Sequence, residues 1–316
     1  MVGLVLFVSL CFLGSWLVAA TLRVFGLSVA PEAIGTRLFT TSLLYLATMG
    51  WQPLVATWVV RRWIDPPDTL DLGLRPSARV YSLVGGLGAI ALALGATLIA
   101  AAAALWDAPG SLSLGAEREL GLGRAPFGIL SLSAAFVASL VLVWLQAVAE
   151  EVGWRGYLLP RAMERFGRWW GLVLHGAVWG LWYAPVLFFA SYGQQAPLTA
   201  VGRSLGFVLT CALLGTLFGW LRLAAKSIVP VVIANATLTL AAGLPYVVHD
   251  VDAGLRSAAF GPAGWLLLTL ALALLLASRW RALVQIPERL SVRGAALGEV
   301  WVVLRPPTGG KGQLPN

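Results

Sequence analysis

Residues 149–161 read AEEVGWRGYLLPR and hold the densest set of chemically capable side chains in the sequence. Two adjacent carboxylates, Glu150 and Glu151, close a long apolar run, and Arg155 follows Glu151 by four residues. Neighbours on a helix point about 100° apart, so adjacent acids do not serve one face. An acid four residues ahead of a base is the favourable order for a helical ion pair. The spacing assigns Arg155 to Glu151 and leaves Glu150 free to face a polar cavity as a general base that activates water. The same string also suits a plainer reading, an acidic helix end in solvent, because ionisable groups gather at membrane interfaces.

Other reactive side chains are few. There are two histidines, His175 and His249, and two cysteines, Cys11 and Cys211, both inside apolar runs. A disulfide framework is excluded. Asp250 and Asp252 share an expected external loop with His249 and read as solvated rather than as ligands. Trp144, Trp154, Trp179, Trp182 and Tyr183 surround the acidic pair in sequence. Packing or anchoring at the membrane interface accounts for such aromatics as readily as chemistry does.

The elements that must position these residues follow from composition. Of 316 residues, 59% are hydrophobic and 11% charged, and the mean hydropathy is +0.83. Soluble domains carry about a quarter charged residues, and a globule of this length cannot hide so much apolar surface. A soluble enzyme, a fibrous repeat and a disordered chain are excluded, which leaves an all-α polytopic membrane bundle. Eight apolar runs approach the length of about 20 residues that a span requires. They lie at roughly 2–22, 38–60, 80–106, 127–149, 169–190, 203–221, 227–247 and 259–278. Their continuity, with no alternation of period two, excludes a closed barrel. The first run lacks a positive n-region and a cleavage site and reads as a retained span. Residues 1–285 read as one membrane domain. Residues 61–79, with Pro66, Pro67 and Pro76, form a polar connection, and 286–316 form a partly flexible cytoplasmic tail ending in RPPTGGKGQLPN.

Twenty arginines and two lysines against 14 acids give a net charge of +8 and a pI of about 10.2. In a soluble protein that balance points to nucleic acid. Here the arginines flank apolar runs as membrane anchors, and the expected partner is the lipid bilayer, with no nucleic acid. With eight spans both termini share a side, whose loops and tail hold 16 basic residues against 6 opposite. The positive-inside rule places both termini in the cytoplasm, and the Arg- and Ala-rich composition suits a bacterial cell membrane.

EEVGWRGYLLPR resembles the first signature, EExxxR, of the CAAX-protease and bacteriocin-processing (CPBP, or Abi) intramembrane endopeptidases. VWGLWYAP at 178–185 is similar to the second, an aromatic residue followed four positions later by His. LFGWLRLAAKSIVPVVIANATLTL at 217–240 is similar to the third region, which leads into His-x-x-x-Asn. The resemblance covers about residues 127–245 and implies a multi-helix membrane protein. It also implies cleavage of peptide bonds in or at the membrane, including removal of the last three residues of prenylated CAAX motifs. The first glutamate would activate a water, with histidines orienting it and an asparagine stabilising the oxyanion.

Carried over by position, the motif glutamates are Glu150 and Glu151, the arginine is Arg155 and the second-signature aromatic is Trp179. The two histidine positions hold Tyr183 and Asn235, and the asparagine position holds Thr239. His175 lies eight residues before Tyr183, about 12 Å along a helix, and His249 lies 14 residues after Asn235. Neither reaches the vacated places, and His175 reads as a polar residue satisfied between packed helices. No cofactor is expected, since a zinc site takes about three protein ligands and the resemblance would draw them from one glutamate and the two missing histidines. Tyr183 and Asn235 retain hydrogen-bond donors suited to an oxyanion hole, but no protonatable imidazole to assist the leaving amine.

Three functions follow from this. One is a catalytically degenerate relative that binds a hydrophobic or prenylated peptide or membrane-protein partner. Another is an active endopeptidase that relies on Glu150. The last is a transporter or channel, for which neither an internal repeat nor mid-membrane charges on several helices speak.

Overall fold

The computed structural model describes residues 2–25, 46–65, 70–107, 140–191, 197–241 and 259–284. Among these, all regular structure is helical. Helix α1 spans Val2–Val24, α2 Gln52–Trp63, α3 Arg79–Asp107 and α4 residues 140–151. They are followed by α5 at Leu159–Phe166, α6 at Arg168–Ser191, α7 at Pro197–Ala225, α8 at Val229–Ala241 and α9 at Pro262–Val284. Two wider π-helical stretches, Leu46–Gly50 and Val152–Leu158, lead towards α2 and join α4 to α5.

Among the described residues, four helices are long and apolar enough to cross a membrane: α1, Arg79–Ala103 of α3, Arg168–Phe188 of α6 and Leu198–Ala225 of α7. Val229–Ala241 and Pro262–Ala277 are shorter apolar helices. Their outward faces carry Leu13, Trp16, Leu87, Leu98, Leu198, Leu205 and Leu270, all exposed. So much bare apolar surface has no place in water. The protein is an integral membrane protein built as a polytopic helical bundle.

The second run, expected as a span at 38–60, is described from residue 46 onward. Its described part is a π turn followed by the 12-residue α2, which carries Pro53 in its first turn. Proline suits the first turn because its missing N–H would have no helical partner there. Residues 38–45 and 127–139, Pro66, Pro67, His249, Asp250, Asp252 and the tail 286–316 lie outside the described residues.

Helices α6 and α7 form the central pair, with α1 and α5 against α6, α8 against α3, and α9 against α3 and α7. Small residues let α6 and α7 approach closely, as suits helices in lipid. A Cβ added to Gly215 would stand 2.6 Å from the Cα of Gly176. Pro185 lies inside α6 and cannot donate to the carbonyl one turn back. Beside that point Ser15 Oγ of α1 donates to the Trp182 carbonyl at 2.5 Å, the type of neighbouring support that lets proline persist in membrane helices.

Candidate functional site

Glu150 and Glu151 close α4, and both are fully buried. The expectation of a solvated acidic helix end is therefore overturned. After them the helix widens into the π stretch, where the Leu159 N–H bonds back to the Trp154 carbonyl and every residue from Val152 to Leu158 is buried. Single π turns inside helices recur at functional sites.

Nor is Glu150 left facing open space. Its Oε1 accepts from Gln146 Nε2 at 2.9 Å and from the Tyr183 hydroxyl at 3.0 Å. Trp179 Nε1 donates to its Oε2 at 3.3 Å. The physical reason is desolvation: a carboxylate removed from water is costly unless donors surround it. Glu151 has a separate set. Its Oε1 accepts from Arg155 Nη1 and from Asn235 Nδ2, both at 2.8 Å. The ion pair expected from the i, i+4 spacing is present, with both side chains fully buried. Thr239 Oγ1 donates to Asn235 Oδ1 at 3.5 Å, the outer edge of a hydrogen bond. The two acids thus reach different partners, as their angular offset requires, yet both sets lie in the protein interior.

Arg155 lies 4.2 Å from the ring centre of Trp179 and 5.1 Å from that of Phe218, so two aromatic faces share its charge. Its Nε and Nη2, like Glu151 Oε2, have no hydrogen-bond partner among the described residues. Tyr183 packs edge-on against Trp182 at 4.7 Å and Phe207 at 5.2 Å, so it serves both packing and hydrogen bonding. Trp154 packs on Trp182 at 5.3 Å, and Trp144 is partly exposed on the outside of α4.

His175 is buried one turn before Trp179 on α6, with Nδ1 3.1 Å from the Gly171 carbonyl of its own helix. It bonds to neither glutamate. The structure thus gathers Glu150, Glu151, Arg155, Tyr183, Asn235 and Thr239 and leaves His175 aside. Zinc takes imidazole, thiolate or carboxylate ligands. The groups around the two glutamates are an indole, two side-chain amides, a phenol and a guanidinium. Among the described residues no three His, Cys, Asp or Glu side chains converge. This donor set does not fit zinc.

Two contributions were not read from the sequence. Gln146 is a lone amide in an apolar helix four residues before Glu150, a spacing that places both on one face and could have marked it. Trp179 was legible only as a motif aromatic, since nothing in its neighbourhood shows where an indole N–H points.

Residues 132–241 match the family model described as type II CAAX prenyl endopeptidase, Rce1-like. Over 125 residues the chain is 31% identical to CAAX prenyl protease 2 of Methanococcus maripaludis, an alignment covering 39% of this chain and 46% of the relative. The chain thus spans about half the length of the curated relative it matches. The matched segment runs from before α4 to the end of α8 and contains every residue of the cluster above. Through that segment the chain is similar to type II CAAX prenyl endopeptidases.

Proposed function

We propose that this CAAX-protease-like membrane protein is a catalytically degenerate relative that binds a hydrophobic or prenylated peptide, or the end of a membrane-protein partner, without hydrolysing it. The observation that carries this reading is the Tyr183 hydroxyl donating to Glu150 Oε1 at 3.0 Å, at the position where the family signature has histidine. A phenol can orient a carboxylate and donate to an oxyanion. It does not shuttle a proton near neutral pH as imidazole does. Glu150 already accepts from Gln146, Trp179 and Tyr183, so a water must share or displace those donors before it can be activated. Losing acid–base assistance costs about 10²–10⁴-fold in rate, and each lost oxyanion donor about 10²–10³-fold. The binding role works without a cofactor. Both termini lie in the cytoplasm in this reading, in a bacterial cell membrane, with the Arg-rich connections on the same side.

The test uses wild type, Glu150→Ala and the double variant Tyr183→His/Asn235→His in liposomes, with prenylated and unprenylated hydrophobic peptides and mass spectrometry of the products. Binding without cleavage by wild type, and new cleavage by the double variant, is the expected outcome. Wild-type cleavage that disappears in Glu150→Ala would overturn the degenerate reading and establish an endopeptidase that uses Glu150 as its base.

A further inference from the structure

The connection between α2 and α3 is clasped to the turn between α7 and α8. Ile228 N–H donates to the Gly73 carbonyl at 3.0 Å, and Ser227 Oγ to the Arg75 carbonyl at 2.5 Å. Arg75 Nε donates to the Lys226 carbonyl at 2.7 Å and Arg75 Nη2 pairs with the Asp71 carboxylate. From α7, Arg222 Nη2 donates to the Asp71 carbonyl at 3.0 Å and stands 3.8 Å from its carboxylate.

The clasp gathers three cations, Arg75, Arg222 and Lys226. Among the described residues Asp71 is the one carboxylate that pairs with its arginines. Arg222 is 2% exposed and its Nε has no hydrogen-bond partner among the described residues, whereas the Arg75 side chain is 45% exposed. Burial, and after it the charge of Arg75, hold the Lys226 ammonium below the usual lysine range. Lys226 also adopts a left-handed backbone, φ 54°, at the place just past a helix end where glycine is the usual residue. The negative end of the α7 dipole accounts for a cation there. It does not account for a second one brought from another connection, nor for a lysine held in a glycine's conformation. Strain of that type concentrates at functional positions.

We propose that the clasp binds a phosphate oxyanion at the membrane–water boundary, contacted by the exposed side of Arg75 and by the Lys226 ammonium, with Arg222 supplying charge from beneath. Basic groups at the ends of membrane helices suit the headgroup of an anionic phospholipid, and a guanidinium fork matches phosphate oxygens. Free phosphate offers the same chemistry from water.

The full chain in phosphatidylcholine nanodiscs, with and without phosphatidylglycerol, tests this through the retained lipid counted by native mass spectrometry. Inorganic phosphate titrated into the phosphatidylcholine discs, read by the thermal midpoint, tests the soluble source. Wild type is expected to retain phosphatidylglycerol preferentially. Lys226→Asn tolerates the left-handed backbone and should lower that preference by more than the about fivefold effect of any one basic residue near an anionic surface. Lys226→Arg should keep it, and Arg165→Gln, outside the clasp, should lower it by no more than that about fivefold surface effect. The Asn variant should be no less heat-stable than wild type in phosphatidylcholine alone, which separates lost binding from unfolding. A phosphate-dependent midpoint in wild type but not in Lys226→Asn, without lipid preference, would assign the site to free phosphate. The proposal is overturned if wild type shows neither response, or if Lys226→Asn keeps both.

Discussion

Asn235 Nδ2 donates to Glu151 Oε1 at 2.8 Å, on the same oxygen that Arg155 reaches from one helical turn away. The contact spans 84 residues of sequence and ties α8 to the end of α4. It puts an amide where the family signature has an imidazole, and an amide holds a carboxylate without exchanging a proton with it.

The Glu151–Arg155 pair should behave as a unit. Both side chains are fully buried, so removing one leaves an uncompensated charge. Arg155→Met should destabilise the fold by about 3–5 kcal/mol. Glu151→Gln on its own should also be costly, because it strands the guanidinium between Trp179 and Phe218. The double variant should be more stable than Arg155→Met, since neither member of the pair is left without the other. Denaturation in detergent micelles, read as a double-mutant cycle, measures this. Strict additivity of the two changes would contradict the coupling.

Tyr183→Phe separates the two roles of that side chain. The ring keeps its contacts with Trp182 and Phe207, while Glu150 loses its hydroxyl donor. Hydrogen bonds between membrane helices are worth about 0.6 kcal/mol on average and up to about 1.7, so a loss of about 1 kcal/mol is expected. Tyr183→Ala should cost about 3–5 kcal/mol, as for other large aromatic truncations. Equal losses for Phe and Ala would show that the hydroxyl, not the ring, carries the stability at this position.

Much of this arrangement was legible in the sequence. Apolar runs located the helices to within a few residues at α1, α3 and α6, because hydropathy reports directly on burial in lipid. The Glu151–Arg155 pair followed from helical spacing. Burial of the glutamates was not legible: an acidic pair at the end of an apolar run looks the same whether the helix ends in water or, as here, continues as a buried π stretch. The partners of Glu150 were equally hidden, since Tyr183 and Trp179 come to it through the packing of α6 on α4, a long-range contact that no local pattern encodes.

The close approach of α6 and α7 makes Gly215 intolerant of any side chain. A Cβ there would stand 2.6 Å from Gly176 Cα, and backbone cannot swing aside as a flexible side chain can. Gly215→Ala should therefore destabilise by about 1–3 kcal/mol, the usual range for overpacking. Gly202, on the same helix, is exposed with nothing within 4 Å of an added Cβ. Gly202→Ala should be neutral or stabilising by up to about 1 kcal/mol through helix propensity. Thermal midpoints of the two variants in one detergent give the comparison. A Gly215→Ala variant as stable as Gly202→Ala would mean that the helices do not meet at this crossing.

Gly73 presents a different constraint, with two separable parts. Its backbone is left-handed, φ 72°, which costs an L-residue about 1–2 kcal/mol. An added Cβ would also collide with the guanidinium of Arg222, which is buried beneath the connection and cannot withdraw into solvent. Gly73→Ala should therefore cost more than the backbone part alone, and it should loosen the bond from Ile228 N–H to the Gly73 carbonyl. Replacing the obstacle distinguishes the parts: in an Arg222→Met background, where a flexible side chain can yield, the further cost of Gly73→Ala should fall to about 1–2 kcal/mol. Protease cleavage between α2 and α3, followed in micelles, reports the loosening directly. Equal effects of Gly73→Ala in both backgrounds would mean that backbone conformation alone sets the glycine and that Arg222 does not press on the connection.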